Sequence, residues 1–286
     1  MQAFFVTGTL AAPPAAVEAA LYERVKVFAT LGVRATIVTL GDSPTWPQVV
    51  GEYGVQPEQV VSVFDQIQQV PALAVAPFMA AKLAFPSDWA KLGQAEGDEY
   101  HRQDQLRAKV WRDEAGHVDA VDYFDESGTR SRRDLYDCRG FLSQVRHYAE
   151  SHLRQVTYLT PQGQTAATQD FNQGGLLTLN ATGAQYASFA GFVQAMLQPL
   201  ANTGALIMAE RREYDAAVAQ LQGVKHGYRL REGNLRITPQ ADDVIITSQF
   251  HAELPQAKVF DEDRADVQLQ RGWQRILEAE GVIEQQ

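Results

Sequence analysis

From Gly116 to Gly174 a turn residue returns at Gly116, Gly128, Gly140, His152, Gly163 and Gly174, each eleven or twelve residues after the last. A step of that size holds one strand and one turn, and is too short for a helix with its connections. An aromatic or other large residue precedes each of the first five turns by four or five positions, at Trp111, Phe124, Tyr136, Tyr148 and Tyr158 or Leu159. Segments such as Val121-Asp122-Tyr123-Phe124 alternate between these points, the pattern of a strand with one face covered. The repeat predicts an antiparallel β-meander over residues 95–175.

The flanks have a different period. Ala3-Phe4-Phe5-Val6 is a short apolar run followed by Thr7-Gly8-Thr9 and then Pro13-Pro14, which reads as a buried strand, a turn and a helix start. Val17, Leu21, Val25, Phe28 and Leu31 recur at spacings of three and four, so residues 15–31 form an amphipathic helix that Gly32 stops. Val33 to Leu40 then reads as a second buried strand, and strand, helix and strand in this order make a βαβ unit. A second helix is expected over 57–69, behind Pro57-Glu58. After the meander come a helix through Phe189, Phe192, Val193 and Leu197, a strand Ala205–Met208, a helix through Tyr214, Val218 and Leu221, a strand Val244–Thr247 and a last helix from Leu269 to Ala279. The expected fold class is α/β: one Rossmann-like domain of residues 1–94 and 176–286, interrupted by the meander of residues 95–175.

Composition narrows the partners. The 25 Lys+Arg against 35 Asp+Glu give a formal charge of −10, so general attraction to nucleic acid or to an anionic membrane is not expected. Residues 100–155 hold ten charges of each sign, leaving 15 basic and 25 acidic residues elsewhere. The acidic excess therefore lies outside the meander, whose Arg130, Arg132, Arg133 and Arg139 would form a basic stripe if they shared one face. Two readings of that stripe stand: a solvated face with cross-strand ion pairs, or a docking face for an anionic polymer or a partner subunit. One cysteine, Cys138, permits no internal disulfide, which suits a reducing compartment. Residues 3–12 are apolar, but no Lys or Arg precedes Arg24, so a secretion signal is not expected. Nor does any stretch approach the ~20 apolar residues of a membrane span. Together these place the expected protein in the cytoplasm.

Catalytic signatures are sparse. The six histidines show no HxH or HExxH spacing, which gives no support for a metal site. GxSxG, GxxxxGK[ST] and GxGxxG are absent from the sequence, so a nucleophile elbow, a P-loop and a dinucleotide fingerprint have no basis. Thr7-Gly8-Thr9 is a weak phosphate-loop candidate, and no cofactor is expected.

The segment Val121-Asp122-Tyr123-Phe124-Asp125, Gly128, Arg133-Asp134, Tyr136-Asp137 and Arg139-Gly140-Phe141-Leu142-Ser143 resembles the inserted β-sheet domain of the TagE/TarM-like glycosyltransferases. That group includes poly(glycerol-phosphate) glucosyltransferases and the GtfA/GtfB pair acting on serine-rich adhesins. Glu18, Arg24 and Phe28 fall where the family's first helix carries an E…R…F pattern. Phe64-Asp65 with Gln68, and Ile207-Met208-Ala209-Glu210-Arg211, are similar to two further family segments. The resemblance implies a GT-B fold, with the acceptor on the first domain and the nucleotide sugar held by the second. Only the first is expected here: 39 residues follow Thr247, and no Glu-x7-Glu pattern or donor loop is recognisable among them.

Two functions follow from the resemblance. One is an accessory subunit that binds an acceptor, polyanionic or Ser-rich, or a full-length glycosyltransferase homologue, in teichoic acid or adhesin glycosylation. The other is a catalytic half that transfers glucose or N-acetylglucosamine only in complex. Self-association through the open edge of the meander is a further expectation.

Overall fold

The computed structural model describes residues 2–71, 76–94, 97–201, 205–230, 244–247 and 258–261. The chain opens with β1 (Gln2–Thr7), α1 (Ala16–Thr30), β2 (Arg34–Thr39), α2 (Trp46–Glu52), β3 (Val60–Ser62) and α3 (Val63–Ile67). Ten strands follow: β4 (Ala90–Gln94), β5 (Gly97–Arg102), β6 (Gln105–Arg112), β7 (Val118–Phe124), β8 (Arg130–Tyr136), β9 (Leu142–Ala149), β10 (His152–Leu159), β11 (Thr165–Asp170), β12 (Leu176–Leu179) and β13 (Gln185–Tyr186). Then come α4 (Phe189–Leu197), β14 (Ala205–Ala209), α5 (Asp215–Val218), β15 (Val224–Leu230), β16 (Val244–Thr247) and β17 (Lys258–Asp261). Two compact units result, residues 1–64 with 189–286, and residues 65–188.

Among the described residues, the first unit holds a seven-stranded sheet in the order β17-β16-β15-β14-β1-β2-β3, parallel throughout. This is the Rossmann order: strands build outward one way from β1 and then the other way from β14. Helix α1 lays Val17, Leu21, Tyr22, Val25 and Phe28 on it, with Phe28 edge-on to Phe5 at 5.1 Å. No side chain caps its N-terminus. A cap is worth about 1 kcal/mol, whereas each large apolar side chain buried stabilises by about 1.5–3 kcal/mol. Packing on the sheet therefore holds α1.

The second unit is a ten-stranded meander in which each strand pairs with its sequence neighbours, in the order β13 to β4. The pairing is antiparallel from end to end, and the 95–175 repeat region lies inside it. The fold is thus α/β with a large β-meander inserted into a Rossmann-like sheet. Its turns share one chemistry. Gly116, Gly128 and Gly140 donate to the carbonyls of Asp113, Asp125 and Asp137, three residues earlier, and Gly163 donates to that of Thr160. Each is a type I turn closed by a residue at positive φ, and a carboxylate at the first position fits because it can accept from amides within the turn. Asp125 accepts from Ser127 and Thr129 in this way, and Asp137 from Arg139. The turn expected at His152 instead lies at Glu150-Ser151, both at positive φ.

One face of the meander is covered from within the same unit. Phe78, Leu83, Phe85 and Trp89 pack against Ala108, Val110, Val118 and Val121. Phe85 lies 4.0 Å from Tyr100, and Phe78 stacks on Tyr136 at 4.7 Å.

Two helix expectations change. Residues 57–69 are not one helix: a 3-10 turn at Pro57–Gln59 leads into β3, and only Val63–Ile67 is α-helical. Val60 and Val61 pair with Ile37 and Val38 of β2, and β-branched residues favour that pleated surface. The helix expected through Tyr214, Val218 and Leu221 is a 3-10 turn, Arg212–Tyr214, followed by the single turn of α5. The helix expected at 269–279 lies outside the described residues.

Candidate functional site

In open α/β sheets ligands bind beyond the carboxyl ends of the strands, where the strand order reverses. Here that point lies between β1 and β14, which run side by side with Val6 opposite Ala209. Three loops meet there. The amide of Glu210 donates to Val6 at 2.9 Å, that of Leu40 to Thr7 at 3.0 Å and that of Gly41 to Gly8 at 2.9 Å. Ser43 joins the first two loops, accepting from the Leu10 amide at 2.9 Å and donating to its carbonyl at 2.7 Å.

Charged side chains cross this edge in pairs. Arg24 of α1 donates to Glu210 at the end of β14, and both side chains are fully buried. The Arg24 guanidinium also lies 5.4 Å from the centre of the Phe5 ring. Arg211 donates to Glu18, near the start of α1, and that hydrogen bond pushes the Arg211 pKa up. Tyr22 stacks on Tyr53 at 5.2 Å. Burial first, then Glu18 and Tyr53, push its phenol up to about 12, so it is neutral at physiological pH.

Tyr214 lies beside the first loop: a Cβ added to Gly8 would stand 2.9 Å from its hydroxyl, so the phenol packs against the backbone of the Thr7-Gly8-Thr9 turn. Burial, and the neighbouring Glu213 carboxylate, push its pKa up. The edge thus holds fixed hydrogen-bond donors and acceptors, with Glu18 and Glu210 each engaged by a guanidinium. Among the described residues no three His, Cys, Asp or Glu side chains gather where a metal could sit, and no described helix is long and apolar enough to cross a membrane.

The four arginines of the meander separate. A bulge at Ser131, between the pairs Tyr123–Arg132 and Phe124–Arg130, turns Arg130 onto the same face as Arg133, while Arg132 points to the other. Arg130 and Arg133 both reach Asp122, at 3.5 and 3.2 Å, and Trp111 donates to the same carboxylate at 2.7 Å. Arg130 also lies over the Tyr148 ring at 4.4 Å. On the opposite face Arg132 makes a two-bond fork to Asp134, at 2.6 and 2.7 Å. Arg139 is not on a face at all. It is buried and forks onto Asp137 and Asp65 with four bonds of 2.7 to 2.8 Å, and these carboxylates push its pKa up against the opposing effect of burial.

Glu18, Arg24, Glu210 and Arg211 were each singled out by the glycosyltransferase resemblance, but their pairing was not legible. Tyr214 went unnoticed as a site residue. The signal available was the run Arg211-Arg212-Glu213-Tyr214 directly after an apolar strand.

The family described as accessory Sec system protein 1 matches residues 20–269. No curated protein matches the chain. Three solved structures illustrate the likeness of fold. The glycosylation-associated protein complex Gap123 of Streptococcus agalactiae superposes with a TM-score of 0.74 at 16% identity, covering 91% of this chain and 60% of that one. Accessory secretory proteins 1, 2 and 3 of Streptococcus pneumoniae give 0.69 at 13% identity, with 91% and 62% covered. The pneumococcal O-GlcNAc transferase GtfA, solved with UDP and GlcNAc, gives 0.70 at 15% identity, with 91% and 60% covered. The chain therefore spans about three-fifths of the length of each structure. Because the family match runs through most of the sequence, the chain belongs to the accessory Sec system protein 1 family.

Proposed function

We propose that this protein is a non-catalytic subunit of an accessory secretion assembly that handles a glycosylated passenger protein in the cytoplasm before export. The observation that carries this reading is the family match over residues 20–269. The Rossmann-like unit with its inserted meander supports descent from the TagE/TarM-like glycosyltransferases. The carboxylates of Glu18 and Glu210, each engaged by a guanidinium at the sheet edge, support loss of transfer chemistry. A Sec system moves proteins, so an adhesin-like acceptor fits better than teichoic acid. Several similar structures are assemblies, among them Gap123, the accessory secretory proteins and the GtfA/B complex. In the same reading, the partner docks on the meander face that carries Arg130 and Arg133. There two guanidiniums share the Asp122 carboxylate, which leaves positive charge for an acidic partner surface. Arg132 and Arg139 serve the meander's own structure.

The test mixes the purified chain with accessory secretory proteins 2 and 3 and with a full-length glycosyltransferase homologue from the same organism, and follows mass by light scattering during gel filtration. Co-elution with at least one of them is expected, with no turnover of UDP-GlcNAc or UDP-glucose by the chain alone. Elution apart from every partner sinks the accessory reading, and turnover by the isolated chain overturns its non-catalytic part.

A further inference from the structure

A row of directly opposed residues crosses one face of the meander. Glu99 of β5 pairs with Lys109 of β6, Lys109 with Asp122 of β7, Asp122 with Arg133 of β8, and Arg133 with Arg146 of β9. Opposed residues share a face of the sheet, with Cβ atoms about 4.5–5.5 Å apart. The first four positions alternate in charge, with Lys109 3.8 Å from Glu99 and Arg133 3.2 Å from Asp122. At Arg146 the alternation breaks. Its two opposed neighbours are Arg133 and the apolar Val156, and among the described residues its Nε donates to the neutral Gln144, at 2.9 Å, with no carboxylate in reach.

Like charges directly opposed across strands destabilise a sheet, so the Arg133–Arg146 pair works against the fold that carries it. Arg130 adds a third guanidinium on the same face, over the half-buried ring of Tyr148, and shares Asp122 with Arg133. Three guanidiniums thus stand around one carboxylate, in a chain whose formal charge is −10. They are open to a partner: the Arg130 and Arg133 side chains are 38% and 27% exposed, and Arg146 is half-buried. A carboxylate beside Arg146 restores the alternation, and a guanidinium holds both of its oxygens in a two-bond fork. Arg130 and Arg133, separated by the bulge at Ser131, stand about 7 Å apart, the distance between alternate side chains of an extended segment. A dense phosphate polymer fits less well, because Glu99 and Asp122 lie in the same row.

We infer that Arg130, Arg133 and Arg146 form a docking site for an extended acidic segment of a partner protein, with one carboxylate bridging Arg133 to Arg146 and a second, two residues along, reaching Arg130. The inference deepens the accessory-subunit reading and rests on it for the existence of a protein partner. The chemistry of the segment is argued from the row of charges alone.

Fluorescence anisotropy on the full chain tests it, with a labelled peptide of alternating Glu and Gly as probe, the same peptide with Gln in place of Glu, and a labelled polyphosphate of matched charge. Binding of the acidic peptide is expected, weakening as salt is raised, with none for the Gln peptide and weaker binding of polyphosphate. Arg146→Glu completes the alternation, so it should lower peptide affinity by about tenfold or more and at the same time raise the thermal midpoint. An arginine that served only the fold would lower that midpoint when replaced. Arg102→Ala, at an exposed arginine of β5 that pairs with Asp88, should leave binding unchanged. No binding of the acidic peptide, undiminished binding by folded Arg146→Glu, a lower midpoint in that variant, or tighter binding of polyphosphate overturns the inference. Co-elution with the secretory proteins is measured separately: absence of peptide binding with co-elution intact removes this site and leaves the accessory reading standing, and peptide binding without co-elution of any partner does the reverse.

Discussion

The guanidinium of Arg24, on α1, donates to the carboxylate of Glu210, 186 residues further on at the end of β14, and neither side chain is exposed to solvent. This pair ties the first helix to the strand beside β1, at the carboxyl edge where the three loops meet. Removing one member leaves the other charge buried and poorly compensated, a loss of about 3–5 kcal/mol. Glu210→Ala and Arg24→Ala should each approach that loss in urea denaturation. The double variant Arg24→Met with Glu210→Leu should recover much of it, because an apolar pair avoids burying charge. Arg211→Ala should cost less than either of those single variants, since the Arg211 side chain is a third exposed and water partly screens its pair, although Glu18 itself is buried. Equal losses at Arg24 and Arg211 would contradict this ranking.

A second contrast lies among the meander arginines. Arg139 is buried between two carboxylates, so Arg139→Ala should destabilise by about 3 kcal/mol or more. Arg139→Lys should not restore stability, because an ammonium cannot make two forks at once. Arg130→Ala, at a half-exposed site, should change stability by less than about 1 kcal/mol. Thermal unfolding of the three variants checks the order.

Two turn glycines should respond differently to one added methyl group. Gly140 has a φ of 90°, and a Cβ there would lie 2.1 Å from the Ala76 carbonyl oxygen. Gly128 has a φ of 78° but meets nothing within 4 Å. Gly128→Ala should therefore cost only the backbone term of about 1–2 kcal/mol. Gly140→Ala must also displace a main-chain carbonyl and should cost clearly more. Similar melting temperatures for the two variants would show that the chain around Ala76 yields freely.

Acid stability should depend on Asp98. Its hydrogen bond from Arg112, with help from Lys91, holds the carboxyl below its ordinary 3.8. A depressed folded value means that this stabilisation is fully present above about pH 3.8 and is lost as pH falls through the folded value. Asp98→Asn should therefore be less stable at neutral pH and should lose less on acidification. Asp134 acts in the opposite direction, because burial pushes its carboxyl up against the pull of Arg132. The folded protein takes up that proton first, so Asp134→Asn should make the acid loss steeper. Denaturation midpoints between about pH 3 and 7 for both variants test the two signs.

The glycine period and the apolar spacing of α1 were sufficient, without any structure, to indicate an α/β body and an inserted meander. Both are local patterns: the turns need a residue that accepts positive φ at a constant step, and α1 needs one continuous apolar face. Asp113, Asp125 and Asp137 recur at the same twelve-residue step as the glycines, and they reinforce the turns through hydrogen bonds that span only four residues. That part of the fold was legible because its causes lie within a few residues of its effects.

The outcome at Val60-Val61 was decided elsewhere in the chain, because only the edge of β2 makes those residues a strand. Similarly, the four arginines read as one stripe until the bulge at Ser131 and the carboxylates of Asp122, Asp134, Asp137 and Asp65 separated them. A side chain's charge is written in the sequence. Whether it faces solvent or a buried partner depends on strand register and on residues as far apart as Arg24 and Glu210, and only the tertiary structure brings those together.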